Sequence, residues 1–204
     1  MSRPNITLYS FRRCPFAIRV RMVLNEKNIL FKIVEEDLKN MSASIKKLHP
    51  EAKVPVLVDG DTVIYESAII TEYIDEKYPK IALMPIEPDL RMQVREWTYA
   101  CNHFFKPEID KFKYKSDQLS EDEMVVVKEL LNQYLFRLDT ALKQSEWLVG
   151  NELSLADLHC FPFFRQLYRV TPQLDNIKQY ANLIDWYQKI LKRPSFELAM
   201  RKSD

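Results

Sequence analysis

The sequence predicts two domains in tandem, an α/β domain of order β-α-β-α-β-β-α and an all-helical domain behind it. Three observations predict this. Short β-branched runs alternate with helical patterns from Ile6 to Tyr78. A proline-rich connector follows, with Pro79, Pro85 and Pro88 close together. Beyond it, every periodic segment has helical spacing.

The elements follow in order. Ile6 to Ser10 carries the β-branched and aromatic residues of a short strand. Pro15 to Lys27 reads as a helix. Ile18, Val20 and Met22 also fit a strand period, and the length and leading proline decide for helix. Phe31 to Glu35 is a second strand, and Ser42 to Leu48 a short helix. Val56 to Val58 and Val63 to Tyr65 flank Asp59-Gly60, the signal of a hairpin. Ser67 to Tyr78 is amphipathic, with Ile70, Tyr73, Ile74 and Lys77 at spacings of three and four, and Pro79 ends it. In the second half, Asp89 to about Lys111 reads as one long helix. Ser120 to Glu123 is a capping box that opens a helix to about Lys143. Ser154 to Asp157 is another helix start, and Ile177 to Leu191 a further helix stopped by Pro194. The domains are therefore expected at 1–79 and 89–204, joined by a linker over 80–88. Both glycines, Gly60 and Gly150, stand at places that tolerate positive φ, which suggests that they serve backbone geometry.

Composition excludes several classes. Lys plus Arg total 30 against 29 Asp plus Glu, a net charge of +1, so no basic excess points to nucleic acid. No apolar run suits a signal peptide or a membrane helix, so a cytoplasmic protein is expected. Cys14, Cys101 and Cys160 cannot all pair within one chain, and reduced thiols are the simpler reading. His49, His103 and His159 are scattered, and no Cys/His spacing suggests a metal site.

Cys14-Pro15 carries the chemistry. Pro is favoured at the first helical position, which places Cys14 at the N-cap. There the unpaired N–H groups and the positive end of the helix dipole favour thiolate. Arg12, Arg13 and Arg19 add positive charge. The residue three after Cys14 is Ala17, so a second thiol for a dithiol centre is missing, and a partner such as glutathione must resolve a mixed disulfide. A buried, inert cysteine is the plain alternative.

Four stretches together resemble the glutathione transferase superfamily: LYSFRRCPFAIRVRMVL (8–24), KVPVLVDGD (53–61), YESAIITEYIDEKYP (65–79) and LSLADLHCFP (153–162). Cys-Pro-Phe-Ala and Tyr-Glu-Ser-Ala-Ile are most similar to the omega class and its bacterial omega-like relatives. The resemblance implies a thioredoxin-like N-terminal domain, an all-helical C-terminal domain (the glutathione transferase fold) and a homodimer. It assigns Cys14 to face the sulfur of glutathione, with Phe16 in the same turn. Val54 pairs its backbone with the cysteinyl part like an added strand, and Pro55 is cis. Glu66 accepts from the γ-glutamyl ammonium, while Ser67 and the helix N-terminus donate to its carboxylate. Helix capping by Ser67 is compatible with that role. Omega enzymes carry a Lys for the glycyl carboxylate where this chain has Met41; Lys39 and Lys53 are the candidates to replace it, and both also read as surface charges. Ser154 and Asp157 match the family's buried capping box, a structural feature.

The resemblance implies glutathione as co-substrate, no metal, and a small electrophilic or disulfide acceptor. A cysteine favours thiol transfer, deglutathionylation or dehydroascorbate-type reduction over aromatic conjugation. Trp97, Tyr99, Phe104, Phe105, Phe164 and Tyr168 are possible acceptor linings, although aromatics at helical spacing are mostly core. The alternative is a non-enzymatic, RNA polymerase-associated protein like stringent starvation protein A, which has this fold and lacks the thiol. LMPIEPDLRM (83–92) is similar to its interdomain region, whereas Cys14-Pro15 and Lys53 favour a working glutathione site.

Overall fold

The computed structural model describes residues 5–170 and 177–202. They form two compact units, one from the residues up to Leu83 with those from Lys192 onward, the other from Met84–Leu191.

The first unit is built on strands β1 (Ile6–Ser10), β2 (Lys32–Glu35), β3 (Val56–Asp59) and β4 (Thr62–Tyr65), in the order β2-β1-β3-β4. β1 and β2 are parallel and the other two pairs antiparallel. A parallel pair needs a crossover, and helix α1 (Pro15–Glu26) supplies it. Helix α2 (Ala43–Leu48), capped by the Ser42 hydroxyl, and α3 (Ser67–Lys77) complete the expected βαβαββα order. The β3–β4 turn places Gly60 at φ 61°, and a Cβ there would lie 3.3 Å from the Asn5 amide nitrogen. Leu8, Val20, Val23, Leu24, Val56, Leu57, Ile70 and Ile74 are fully buried and form the core.

Ion pairs tie the helices to this core. Lys27 and Asp75 are both buried and pair at 2.6 Å, and Asp75 also accepts the Leu83 N–H at 2.9 Å. Tyr73 and Lys77, expected to follow the apolar stripe of α3, converge instead with Tyr78 on the Asp59 carboxylate, at 3.0, 2.7 and 2.9 Å. Burial pushes that carboxyl up, but the bonds from Lys77, Tyr78 and Tyr73 outweigh it and hold it below its usual value.

Several expectations for the C-terminal part need correction. Pro194 ends one helix but also opens another, α9 (Pro194–Met200), because a proline at the first helical position sacrifices no hydrogen bond. This helix was expected in the helical domain; it lies on α1, where Glu26 binds Arg193 at 2.6 and 2.8 Å and the Ser195 hydroxyl at 2.5 Å. The expected continuous helix over 89–111 is α4 (Pro88–Ala100), a π-turn at Cys101–Phe105, and α5 (Lys106–Tyr114). Pro107 explains the π-turn: its ring opposes the carbonyl four residues back, and Lys106 N–H bonds instead to Cys101, five back.

The rest of the second unit is α6 (Glu121–Gln144), α7 (Leu155–Val170) and α8 (Ala181–Leu191). Ser120 and Glu123 form the expected capping box. Ile177–Gln179, expected as helix, is a 3-10 turn ahead of α8. Asp157 is fully buried and accepts four hydrogen bonds, from Leu148 N–H, Ser154 N–H, the Ser154 hydroxyl and the Trp186 indole, all at 2.9–3.0 Å. Burial still pushes its carboxyl upward. Of the possible acceptor linings, Trp97, Phe105 and Phe164 are core residues, while Tyr99 and Phe104 are exposed. Among the described residues, no helix is long and apolar enough to cross a membrane.

Candidate functional site

Cys14 is the N-cap of α1, at φ −70° and ψ 120°, with Pro15 opening the helix. Its N–H bonds to Phe11 O at 3.0 Å and its carbonyl accepts from Ile18 N–H at 2.9 Å, which fixes the turn from β1 into α1. The thiol is half-buried, and the first turn of α1 carries no acidic side chain to compete with a thiolate. The sulfur lies 3.9 Å from the carbonyl oxygen of Val54.

Val54 precedes β3, whose ladders begin at Val56. Its N–H has no hydrogen bond among the described residues, so the strand continues past its last partner with backbone groups open. The Val54–Pro55 bond is cis, as expected. Beside it, Glu66 caps α3 with φ 67° and ψ 115°. A non-glycine residue in this sparsely populated region costs about 1–3 kcal/mol, and such residues cluster at functional sites.

Ser67 differs from its expected capping role. It is the first residue of α3, and its buried hydroxyl accepts from Arg19 at 3.3 Å. Arg19 is itself fully buried and lies over the Phe16 ring, 5.4 Å from its centre.

A cavity of about 220 Å³ is lined by Phe16, His49, Lys53, Val54, Pro55, Glu66 and Ser67. The structure thus brings together six of the residues singled out in the sequence, with Cys14 on Val54 at its edge. Lys39 is not among them; it is exposed on the turn after β2, its N–H on the Asp37 carboxylate. Lys53 lines the cavity but is exposed and pairs with Glu51. Their hydrogen bond, with the attraction behind it, holds Glu51 below and Lys53 above their usual values.

His49 is the residue that sequence reasoning passed over. It closes α2, is 5% exposed, and lies against the Tyr65 ring at 4.8 Å. Its Nδ1 accepts the Glu51 N–H at 3.0 Å, so the neutral ring carries its proton on Nε2. Its place just ahead of Pro50 and the KVPVL run was the available signal.

These groups fit an extended peptide with a free amine and carboxylate. Open strand backbone at Val54 can pair with peptide groups, the Glu66 carboxylate can accept from an amine, and the Ser67 hydroxyl, backed by a buried cation, can donate to a carboxylate. The cavity is smaller than the ~300–1,000 Å³ of ordinary ligand pockets, which suits a ligand laid along a strand edge. A larger hollow of about 880 Å³ lies in the second unit, beside Arg91, Arg95, Tyr99, Phe104 and Arg137, and among the described residues no thiol lines it.

The thioredoxin-like unit with a thiol at its first helix, together with the helical unit, defines a class that the comparisons bear out. The chain belongs to the glutathione S-transferase family: the family model "Glutathione S-transferase, N-terminal domain" matches residues 8–82 and "Glutathione S-transferase, C-terminal domain" matches 92–194. Among individual relatives, it is 32% identical over 193 residues to glutathione S-transferase omega-1 of Sus scrofa, covering 93% of this chain and 78% of that protein. It is 26% identical over 204 residues to a stringent starvation protein A homolog of Coxiella burnetii, covering 100% of this chain and 95% of that one. A glutathione S-transferase of Methylobacillus flagellatus, solved with glutathione bound, superposes with a TM-score of 0.84 at 25% identity, over 97% of this chain and 100% of that one.

Proposed function

We propose that this protein is an omega-like, cysteine-type glutathione transferase, a homodimer that reduces small disulfide acceptors by thiol transfer. The observation that carries this reading is the half-buried Cys14 at the α1 N-cap, 3.9 Å from the Val54 carbonyl, beside a cavity lined by Glu66 and Ser67. A serine or tyrosine there could polarise glutathione for conjugation, but a thiolate can also exchange disulfides.

In this reading Val54 aligns the cysteinyl backbone, Glu66 holds the γ-glutamyl amine and Ser67 its carboxylate. Lys53 is the nearer candidate for the glycyl carboxylate, since Lys39 lies outside the cavity lining. The Cys14 thiolate attacks the glutathionyl sulfur of a mixed disulfide RS–SG. The S–S bond breaks, its electron pair leaves on RS⁻, which takes a proton from water, and Cys14–S–SG remains. A second glutathione, as thiolate, attacks that glutathionyl sulfur, expelling the Cys14 thiolate and forming oxidised glutathione. The acceptor gains two electrons, and glutathione supplies them.

The test is Cys14→Ser. Reduction of a glutathionylated thiol should be lost with the fold intact, while Cys101→Ser and Cys160→Ser, at fully buried positions, should retain it. Full activity in Cys14→Ser overturns the thiol mechanism.

A second reading has its own support, the full-length match to a stringent starvation protein A homolog. It takes the chain as a non-enzymatic partner of RNA polymerase. Failure to bind immobilised glutathione, joined with capture of RNA polymerase, would favour it.

A further inference from the structure

Two arginines in the first helix, Arg19 and Arg21, are buried, with Arg21 only 1% exposed. Arg19 is engaged by Ser67 and the Phe16 ring. Arg21 turns the other way, toward the strand and turn that deliver Cys14. It donates to the Ser10 hydroxyl at 3.1 Å and to the Arg12 carbonyl. Its Nε, also buried, has no partner among the described residues. Among the described residues, no carboxylate lies within ion-pair distance of it. A buried guanidinium that donates to neutral oxygens and lacks a direct ion-pair partner carries a charge that desolvation makes costly.

We propose that Arg21 is the positioning residue of the thiol: it clamps the Ser10–Arg12 segment leading into Cys14, and it supplies a charge shielded from solvent that stabilises the Cys14 thiolate. The electrostatics agree. Burial lowers Arg21 to about 10, attraction to Glu35 and then to Cys14 works against that loss, and repulsion from Arg12 adds to it. The clamp is double, because Arg12 N–H is held by Glu35 at 2.6 Å while Arg21 takes its carbonyl.

The other charges around the thiol are placed differently. Arg13 is exposed and lies 5.6 Å over the Phe11 ring, and Arg12 is half-buried. Glu66 at the α3 cap and Glu35 at the end of β2 are exposed anions. Lys53 is paired with Glu51 ahead of β3, and His49 closes α2. Salt screens exposed charges over a Debye length of about 8–10 Å at ordinary ionic strength, and buried ones much less.

The inference rests on Cys14 being the reactive thiol, and its test needs no glutathione. Alkylation of Cys14 by iodoacetamide is followed against pH in a Cys101→Ser, Cys160→Ser background. A parent midpoint below the ordinary cysteine value of about 8.5 with no turnover would fail only the transferase reading. Arg21→Gln should raise the midpoint by about one unit or more, a roughly three- to tenfold slower reaction well below it. Arg21→Lys, which keeps the charge, should restore most of the shift. An Arg12→Gln, Arg13→Gln pair should leave the midpoint in place, and raising salt from 0.05 to 1 M should barely move it in the parent. A folded Arg21→Gln protein with the parent midpoint overturns the proposal. Should that variant not fold, a midpoint that climbs with salt, or climbs in the Arg12, Arg13 pair, overturns it in the folded protein.

Discussion

Glu66→Gln separates recognition from stability more cleanly than any other change at this site. Glu66 is exposed, its side chain makes no capping hydrogen bond, and its unusual φ of 67° is a demand on the backbone that glutamine meets no worse. The substitution should therefore change stability by less than about 0.5 kcal/mol. Binding should behave otherwise. A hydrogen bond to a charged group contributes about 1.5–3 kcal/mol and a neutral one about 0.5–1.5. Glutamine keeps an acceptor and loses the charge, so about 1–1.5 kcal/mol is lost, a roughly five- to tenfold weaker Kd for glutathione. Ser67→Ala provides the contrast, because its hydroxyl also receives the buried Arg19 at 3.3 Å. It should lose affinity and also about 1–2 kcal/mol of stability, or roughly 2–8 °C in Tm for a chain of this size. Calorimetric titration with glutathione beside melting curves reads both quantities. Unchanged affinity in Glu66→Gln would refute the assignment of the γ-glutamyl site. A Tm loss in Glu66→Gln as large as in Ser67→Ala would refute the division of labour between the two residues.

Two further predictions concern the framework. Asp59 has a lowered folded pKa, so its contribution is complete above the unfolded value of about 3.9 and drains away as pH falls through the folded value. Asp59→Asn should cost ~1–2 kcal/mol at pH 7. Its stability should converge with the parent's between about pH 4 and 2, read by urea unfolding across that range; parallel curves would contradict the assignment. Asp157→Ala strips the acceptor from four donors and should cost about 3–5 kcal/mol, a Tm drop of at least about 6 °C. A drop of one or two degrees in differential scanning calorimetry would show that water replaces the carboxylate.

Features that depend on near neighbours in the chain were legible in the sequence. The strand and helix order, the Ser120 capping box, the Cys14-Pro15 helix start and the turn at Gly60 all appear where local patterns put them. Caps, turns and periodicity act over a few residues, so a short window contains their cause. The remaining features came from contacts between distant segments. Pro194 can both end one helix and open the next, but where α9 packs was decided by α1, which presents Glu26 to Arg193 and Ser195. Lys39 and Lys53 were equal candidates in the sequence, but the chain carries Lys53 into the cavity lining and leaves Lys39 outside. His49 joins that lining through Tyr65, a strand away. Arg19 and Arg21 show the reason most directly. Two residues apart on one helix, Arg19 reads only as a charge near the thiol and Arg21 carries no reading, yet both are buried against different partners, Ser67 on α3 and Ser10 on β1. Where a cation finds its oxygen depends on which distant segments fold against it, and no local window contains that information.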